Sequence, residues 1–179
     1  MGKDILYLIS SSGNEVGARW LQTILGHEYK VHTTRDIYRS SHIDSTILPL
    51  NSSSVLINSV RVPPKRVPNV FKKWKKIFHS EMAEVPEYEL KFQKKFRDSA
   101  YKKLRDFGVN SHLNSISSPW AGLNVLSISP KTVLVDKRQE SLIKKIEKEK
   151  FNVIGVRMRH MYTMLGGLHC STLDTVRKK

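Results

Sequence analysis

Three short polar clusters carry the residue types that do chemistry on a small polar substrate. They are Ser40-Ser41-His42-Ile43-Asp44-Ser45-Thr46, Ser117-Ser118-Pro119-Trp120 followed by Asn124, and Leu165-Gly166-Gly167-Leu168-His169-Cys170-Ser171-Thr172. Cys170 is the sole cysteine, so no intrachain disulfide forms, and a reducing compartment is the simplest setting. A neighbouring cation or histidine lowers a thiol pKa and populates the nucleophilic thiolate, and a glycine pair lets the backbone approach a ligand closely. His42 and Asp44 stand where a strand should begin, and residues two apart in a strand share one face. A carboxylate there orients an imidazole, or the two grip a cationic substrate together. Each cluster alone also has an ordinary reading: a hydrogen-bonded surface pair, a proline-fixed turn with hydroxyls, a small buried thiol. His42, Asp44, His169 and Cys170 are also legitimate zinc ligands, which keeps a metal site as a further alternative.

The elements that must position these residues follow from apolar patterning. Asp4 to Ser10 reads as a strand, and Asn14 caps a helix with apolar positions Val16, Trp20, Leu21 and Leu25 that stops at Gly26. Tyr29 to Thr33 reads as a strand. Ile43 to Leu50 and Val55 to Asn58, separated by Asn51-Ser52-Ser53-Ser54, read as a hairpin. Pro63, Pro64 and Pro68 forbid regular structure until a helix around Asn69 to Phe78. Phe92, Phe96, Ala100, Leu104 and Phe107 recur every three or four positions and predict a second helix from Tyr88 to Phe107 with a core-facing stripe, its other face bearing Lys91, Lys95, Lys102 and Arg105. A second hairpin, Leu123 to Ile128 and Thr132 to Asp136, precedes a helix over Glu140 to Lys150 and a strand over Asn152 to Met158. This strand, strand, helix, strand unit can also be traced from Ile43 onward with a longer helical part, so an internal repeat of a ββαβ module is expected.

The 179 residues suit about one domain. With 39% hydrophobic and 26% charged residues the composition is that of a globular protein, which argues against disorder and collagen. No apolar stretch approaches a bilayer span, and Met1 to Gly13 lacks the basic start and apolar centre of a signal peptide, so a soluble cytoplasmic chain is expected. The net charge of +15 first points to phosphate. About half of it lies between Val62 and Gly108, where 13 cations face 6 anions, and the densest run, Lys65 to Lys76, has no nucleic-acid signature beside it. A solvated face is the ordinary reading of such a run.

Taken together and in this order, the three clusters resemble the glycine amidinotransferase family of the guanidine-modifying pentein superfamily. The matching elements are His42-Ile43-Asp44-Ser45-Thr46, Ser117-Ser118 with Trp120 and Asn124-Val125-Leu126, and Gly166-Gly167-Leu168-His169-Cys170 with Thr172 and Asp174. The resemblance implies that Cys170 is the nucleophile that accepts an amidino group, and that His42 is the general acid and base. It further implies that Asp44 binds the guanidinium, that Arg61 holds the substrate carboxylate, and that Ser117 and Ser118 contact substrate. It implies an α/β fold, a partial pentein-type propeller of ββαβ modules, whose remaining strands and second acidic residue come from an amino-terminal portion that precedes the matched part.

The expectation is therefore one amidinotransferase-like domain over residues 1–179, corresponding to the carboxy-terminal part of the family fold, with a basic helical insertion at about 62–110. It would move an amidino group from arginine to an amine such as glycine through an amidino-cysteine, as in creatine biosynthesis, with little activity unless an amino-terminal partner chain completes it. No cofactor or metal is called for, and neither a membrane nor nucleic acid is the expected partner. The alternatives are a guanidino hydrolase, in which water replaces the acceptor amine, and a basic nucleic-acid-binding module.

Overall fold

The computed structural model describes residues 2–37, 42–108, 119–159, 161 and 166–173. Its first unit is β1 (Asp4–Leu8), α1 (Glu15–Leu25) and β2 (Lys30–Thr34), with β1 and β2 parallel. Asn14 caps α1 by accepting from the Gly17 N–H, and Gly26, at φ 64°, ends it in a conformation that costs a side chain energy. Val16, Trp20 and Ile24 form a stripe on the exposed side of α1, so Val16 and Trp20 lie outside the core expected of them.

The second unit is the predicted hairpin, β3 (Ile47–Pro49) and β4 (Ser54–Asn58), antiparallel, with β5 (Lys75–His79) parallel to β4. Here the structure corrects the helix expected over Asn69 to Phe78. Asn69–Phe71 winds as one 3-10 turn, residues 72–74 continue as a turn, and β5 follows from Lys75. Prolines at 63, 64 and 68 remove amide donors and push the residues before them out of the α region, so the connection from β4 runs through two 3-10 turns. The period-two burial of Ile77 and His79 is the strand signal in that stretch. Among the described residues of the expected insertion, 62–108, α2 (Glu87–Asp106) is the one α-helix, and Val62, Phe71 and Ile77 belong to the core. The cations of Lys65 to Lys73 point outward, while Phe71 and Trp74 stack edge to face at 5.2 Å inside the protein.

β6 (Leu126–Ser129), β7 (Thr132–Asp136), α3 (Glu140–Lys148) and β8 (Asn152–Val156) complete the third unit, with β6 antiparallel and β8 parallel to β7. The strand order of the second unit recurs in the third, although 3-10 turns replace the helix in the second. All three sheets are open, and no closed ring of sheets is present among the described residues.

The core explains why the units hold together. β4 is buried along its whole length and alternates between two clusters. Val55 and Ile57 pack with Leu8, Ile37, Ile47 and Phe71, whereas Leu56 packs with Ile77, Val133, Val135, Leu142 and Ile146 of the third unit. Leu142 and Ile146, one turn apart on α3, are fully buried there; each such side chain contributes about 2 kcal/mol.

α2 departs from its expected orientation. Phe92 and Phe96 are about half exposed and Phe107 is 83% exposed, while Glu89 is 1% exposed. A buried ion network holds Glu89: Arg138 donates to Glu89 Oε1 at 2.9 Å, to Asp136 Oδ2 at 3.0 Å and to the Met158 carbonyl at 2.7 Å. Two buried carboxylates require a shared cation, and Arg138 supplies it.

Candidate active site

Cys170 lies in the turn 168–171, at the opposite end of the chain from His42 and Asp44. The turn closes on itself, with the Ser171 N–H and hydroxyl both directed to the Gly167 carbonyl at 3.2 and 2.8 Å. It is seated on the 3-10 turn Pro119–Leu123 and on Asn124, which is 3% exposed. The His169 N–H donates to the Asn124 carbonyl at 3.2 Å and the Cys170 N–H to Asn124 Oδ1 at 2.8 Å. Gly167 permits this seat: a Cβ there would stand 2.5 Å from Asn124 Cβ and 2.7 Å from the Ala121 carbonyl oxygen.

His42 and Asp44 do not share a strand face. Thr46 and Ile47 both donate their N–H to the Ile43 carbonyl at 2.8 Å, which folds residues 43–46 into a turn before β3 begins. The turn nevertheless delivers both side chains to the thiol. One ring nitrogen of His42, one carboxylate oxygen of Asp44 and the sulfur of Cys170 lie within 4.8 Å of one another. The Cys170 thiol donates to Asp44 Oδ2 at 3.3 Å, and the same oxygen accepts from His169 Nδ1 at 2.9 Å. Nitrogen, oxygen and sulfur at this spacing could also hold a zinc ion once the thiol is deprotonated.

Arg61 follows β4 in the turn of residues 59–61. Its Nη1 donates to Thr46 Oγ1 at 2.8 Å and Ser45 Oγ at 3.2 Å, and its guanidinium stands 5.8 Å from the Trp120 ring centroid. These contacts place it beside the turn that bears Asp44. Ser117 and Ser118, like Ser40, Ser41, Leu165 and Asp174, lie outside the described residues.

The electrostatics couple the two central groups. Burial raises the Asp44 carboxyl, but the donors of His169, Asn124 and Cys170 and the charge of His169 outweigh it and hold the group at about 2. Burial, the Asp44 charge and the hydrogen bond to Asp44 push the Cys170 thiol up to about 11, with the Gly167 backbone and the Asn124 side chain offsetting part of the rise. At neutral pH the site therefore holds a carboxylate and a neutral thiol. A cation entering against Asp44 offsets the part of the thiol's rise that comes from the carboxylate, while the larger part, from burial, remains.

Two contributors to this geometry were not assigned roles from sequence. Sequence alone marks His169 as a thiol neighbour or metal ligand and Asn124 as part of a matching motif. Their closeness to Cys170 and to Trp120 in sequence was the available signal, whereas their partners are set by packing.

No protein-family model matches the sequence. The chain is 38% identical over 98% of its length to inosamine-phosphate amidinotransferase 1 of Streptomyces glaucescens, and spans 44% of that protein. It is 30% identical to an L-arginine:L-lysine amidinotransferase of Pseudomonas savastanoi pv. phaseolicola and 28% identical to the mitochondrial glycine amidinotransferase of Xenopus laevis, covering 42% and 36% of them. All of it superimposes on 45% of the solved inosamine-phosphate amidinotransferase of Streptomyces griseus, with a TM-score of 0.81 at 36% identity. The α/β architecture is thus the pentein-like one of these enzymes, and the chain spans less than half the length of the curated relatives it matches. Across 98% of its length, the chain is a homologue of the amidinotransferases.

Proposed function

We propose that this chain carries the thiol-bearing part of an amidinotransferase site and moves an amidino group from arginine to an amine such as glycine. The observation that carries the reading is the mutual reach, within 4.8 Å, of Cys170 Sγ, a His42 ring nitrogen and the Asp44 carboxylate. A nucleophile, an acid/base and a cation-binding anion are what transfer from a guanidinium requires.

In this reading Asp44 binds the guanidinium, and its neutralisation lets the Cys170 proton pass to His42. The thiolate attacks the guanidinium carbon, forming the sulfur–carbon bond of a tetrahedral intermediate. The carbon–nitrogen bond to the departing amine then breaks as His42 returns the proton to that nitrogen, leaving an amidino-cysteine. An incoming amine attacks the same carbon and gives its proton to His42, and the sulfur–carbon bond breaks to restore the thiolate. Arg61 is assigned the substrate carboxylate, and Ser117 and Ser118 the substrate flank. If water were the acceptor, the same steps would give hydrolysis.

We read the third unit as a ββαβ module of a pentein-type propeller and the second as the same module with 3-10 turns in place of its helix, since both run antiparallel then parallel in the same order. Because the chain spans about 44% of its relatives, a partner portion bearing further strands and a second acidic group is part of the proposal. No helix among the described residues is long and apolar enough to cross a membrane, and a cytoplasmic site suits the free thiol.

The test is incubation with arginine labelled in its guanidino carbon, plus glycine, with and without the complementary fragment of a related amidinotransferase. Peptide mass spectrometry should find the label on Cys170, and guanidinoacetate should form chiefly when the fragment is present. Absence of label on Cys170 in both arms, or turnover that survives Cys170→Ala, overturns the reading.

A further inference from the structure

The three units share one backbone plan. In each, a middle strand and the parallel strand after it, β1 with β2, β4 with β5 and β7 with β8, pair residue for residue from end to end. Their ends match as well. The first residue of the parallel strand donates to the carbonyl just before the middle strand: Lys30 to Lys3 at 2.9 Å, Lys75 to Ser53 at 2.8 Å and Asn152 to Lys131 at 2.7 Å. The residue just after the middle strand donates to the last carbonyl of its partner: Ile9 to Thr34 at 2.8 Å, Ser59 to His79 at 3.0 Å and Lys137 to Val156 at 2.9 Å. Within a strand the N–H and C=O of one residue leave by the same edge and those of the next residue by the other. The first, third and fifth residues of each middle strand therefore turn their backbone groups away from the parallel strand. In β4 that edge is filled by β3: Ser54 accepts from the Leu50 N–H at 2.9 Å, and the Asn58 N–H donates to the Thr46 carbonyl at 2.9 Å. β6 fills it in β7. In β1 the same edge is offered by Asp4, Leu6 and the Leu8 N–H, and no strand lies beside it among the described residues.

We propose that the outer edge of β1 is a docking site for an extended segment of the amino-terminal portion of an amidinotransferase, which adds antiparallel opposite Ile5, Leu6 and Tyr7 as β3 adds opposite Val55, Leu56 and Ile57. This deepens the proposed function, because it rests on such a portion completing the fold. The chain spans 44% of its relative's length, so most of such a protein lies outside the match. The composition of β1 points the same way. Ile5-Leu6-Tyr7-Leu8 is apolar at successive positions, the pattern of a strand covered on both sides, and it matches Val55-Leu56-Ile57 and Val133-Leu134-Val135. Yet β4 is buried throughout and β7 over most of its length, whereas Leu8 alone is buried in β1. A bare edge beside partly exposed apolar residues invites another strand. Main-chain hydrogen bonds would supply the affinity and alternate apolar side chains the register. The segment needed is short, since β3 has 3 residues and β6 has 4.

The experiment records backbone amide hydrogen exchange by NMR on the ¹⁵N-labelled whole chain, alone and with the unlabelled complementary fragment of inosamine-phosphate amidinotransferase 1, the part of that protein outside the match. Alone, Leu6 and Leu8 should exchange fast, and Ile5 and Tyr7, whose amides face β2, slowly. With the fragment, Leu6 and Leu8 should slow by about tenfold or more. Leu6→Pro removes one outward N–H while leaving the donors on the β2 side, and should weaken fragment binding about tenfold. The exchange measurement on the unaltered chain decides the matter if that variant does not fold. Fast exchange at Leu6 and Leu8 under saturating fragment, or a fragment that does not bind, overturns the proposal. So does protection that appears without the fragment and is lost on dilution, the mark of a second copy on the edge. Protection as described, with no label on Cys170 and no guanidinoacetate, counts against the proposed function alone, whereas amidino transfer with the edge unprotected counts against this docking alone.

Discussion

The thiol of Cys170 donates to the carboxylate of Asp44 across 3.3 Å, joining residues 126 positions apart in the chain. The contact binds the two titrations together, since the carboxylate that would attract a guanidinium is also, after burial, the main cause of the raised thiol pKa. Asp44→Asn should therefore lower the Cys170 pKa from about 11 toward its ordinary value and speed iodoacetamide alkylation at pH 8 several-fold. It should also weaken guanidinium binding. Burial, the largest cause of the raised value, remains in the variant, so the fall is partial. An alkylation rate unchanged or slower in a folded variant would contradict the coupling.

The seat of the cysteine loop leaves no room for a methyl group at Gly167. Gly167→Ala must displace the loop from Asn124 and from the Ala121 carbonyl. Overpacking of this kind costs about 1–3 kcal/mol. The expected result is a modest fall in thermal stability with a large change in Cys170 reactivity, read by differential scanning fluorimetry and thiol alkylation on the same sample.

α2 is tied to the third unit through Arg138, whose removal leaves Glu89 and Asp136 buried without a cation. Arg138→Ala should destabilise the fold by about 3–5 kcal/mol, the scale for breaking one side of a buried pair. Denaturant unfolding measures the loss. Hydrogen exchange should show the first turns of α2 opening earliest, and equal protection there in parent and variant would argue against the tie.

His79 is buried on β5 with its Nε2 unpartnered, and burial lowers its pKa below 6.5. The sign is fixed by linkage: the unfolded chain takes up this proton first as pH falls, so stability is retained above pH 6.5 and lost below it. His79→Gln should lower stability at pH 7 but flatten its decline between pH 6.5 and 5, as followed by urea unfolding. An identical acid slope in parent and variant would assign the loss to other groups.

The sequence by itself determined what local rules control. Asn14 and Gly26 bound α1, the serine-rich link between Leu50 and Val55 makes the hairpin, and the patterns of Thr132 to Asp136 and Leu142 to Ile146 give β7 and α3. The residue types at His42, Asp44 and Cys170 were also legible, because thiol, imidazole and carboxylate in ordered motifs are specific. Tertiary structure decided the rest. Lys75–His79 became a strand because β4 offered a parallel edge for its backbone, which no local propensity encodes. Phe92 and Phe96 stay about half exposed although Glu89, on the same face of α2, is buried against Arg138, a partner 49 residues away. The His42 and Asp44 side chains converge through the turn on Ile43, and only folding brings that turn to Asn124 and to a cysteine loop more than 120 positions distant. Hydrogen-bond partners and pKa values are properties of that meeting, because distance and burial set them and neither is written along the chain.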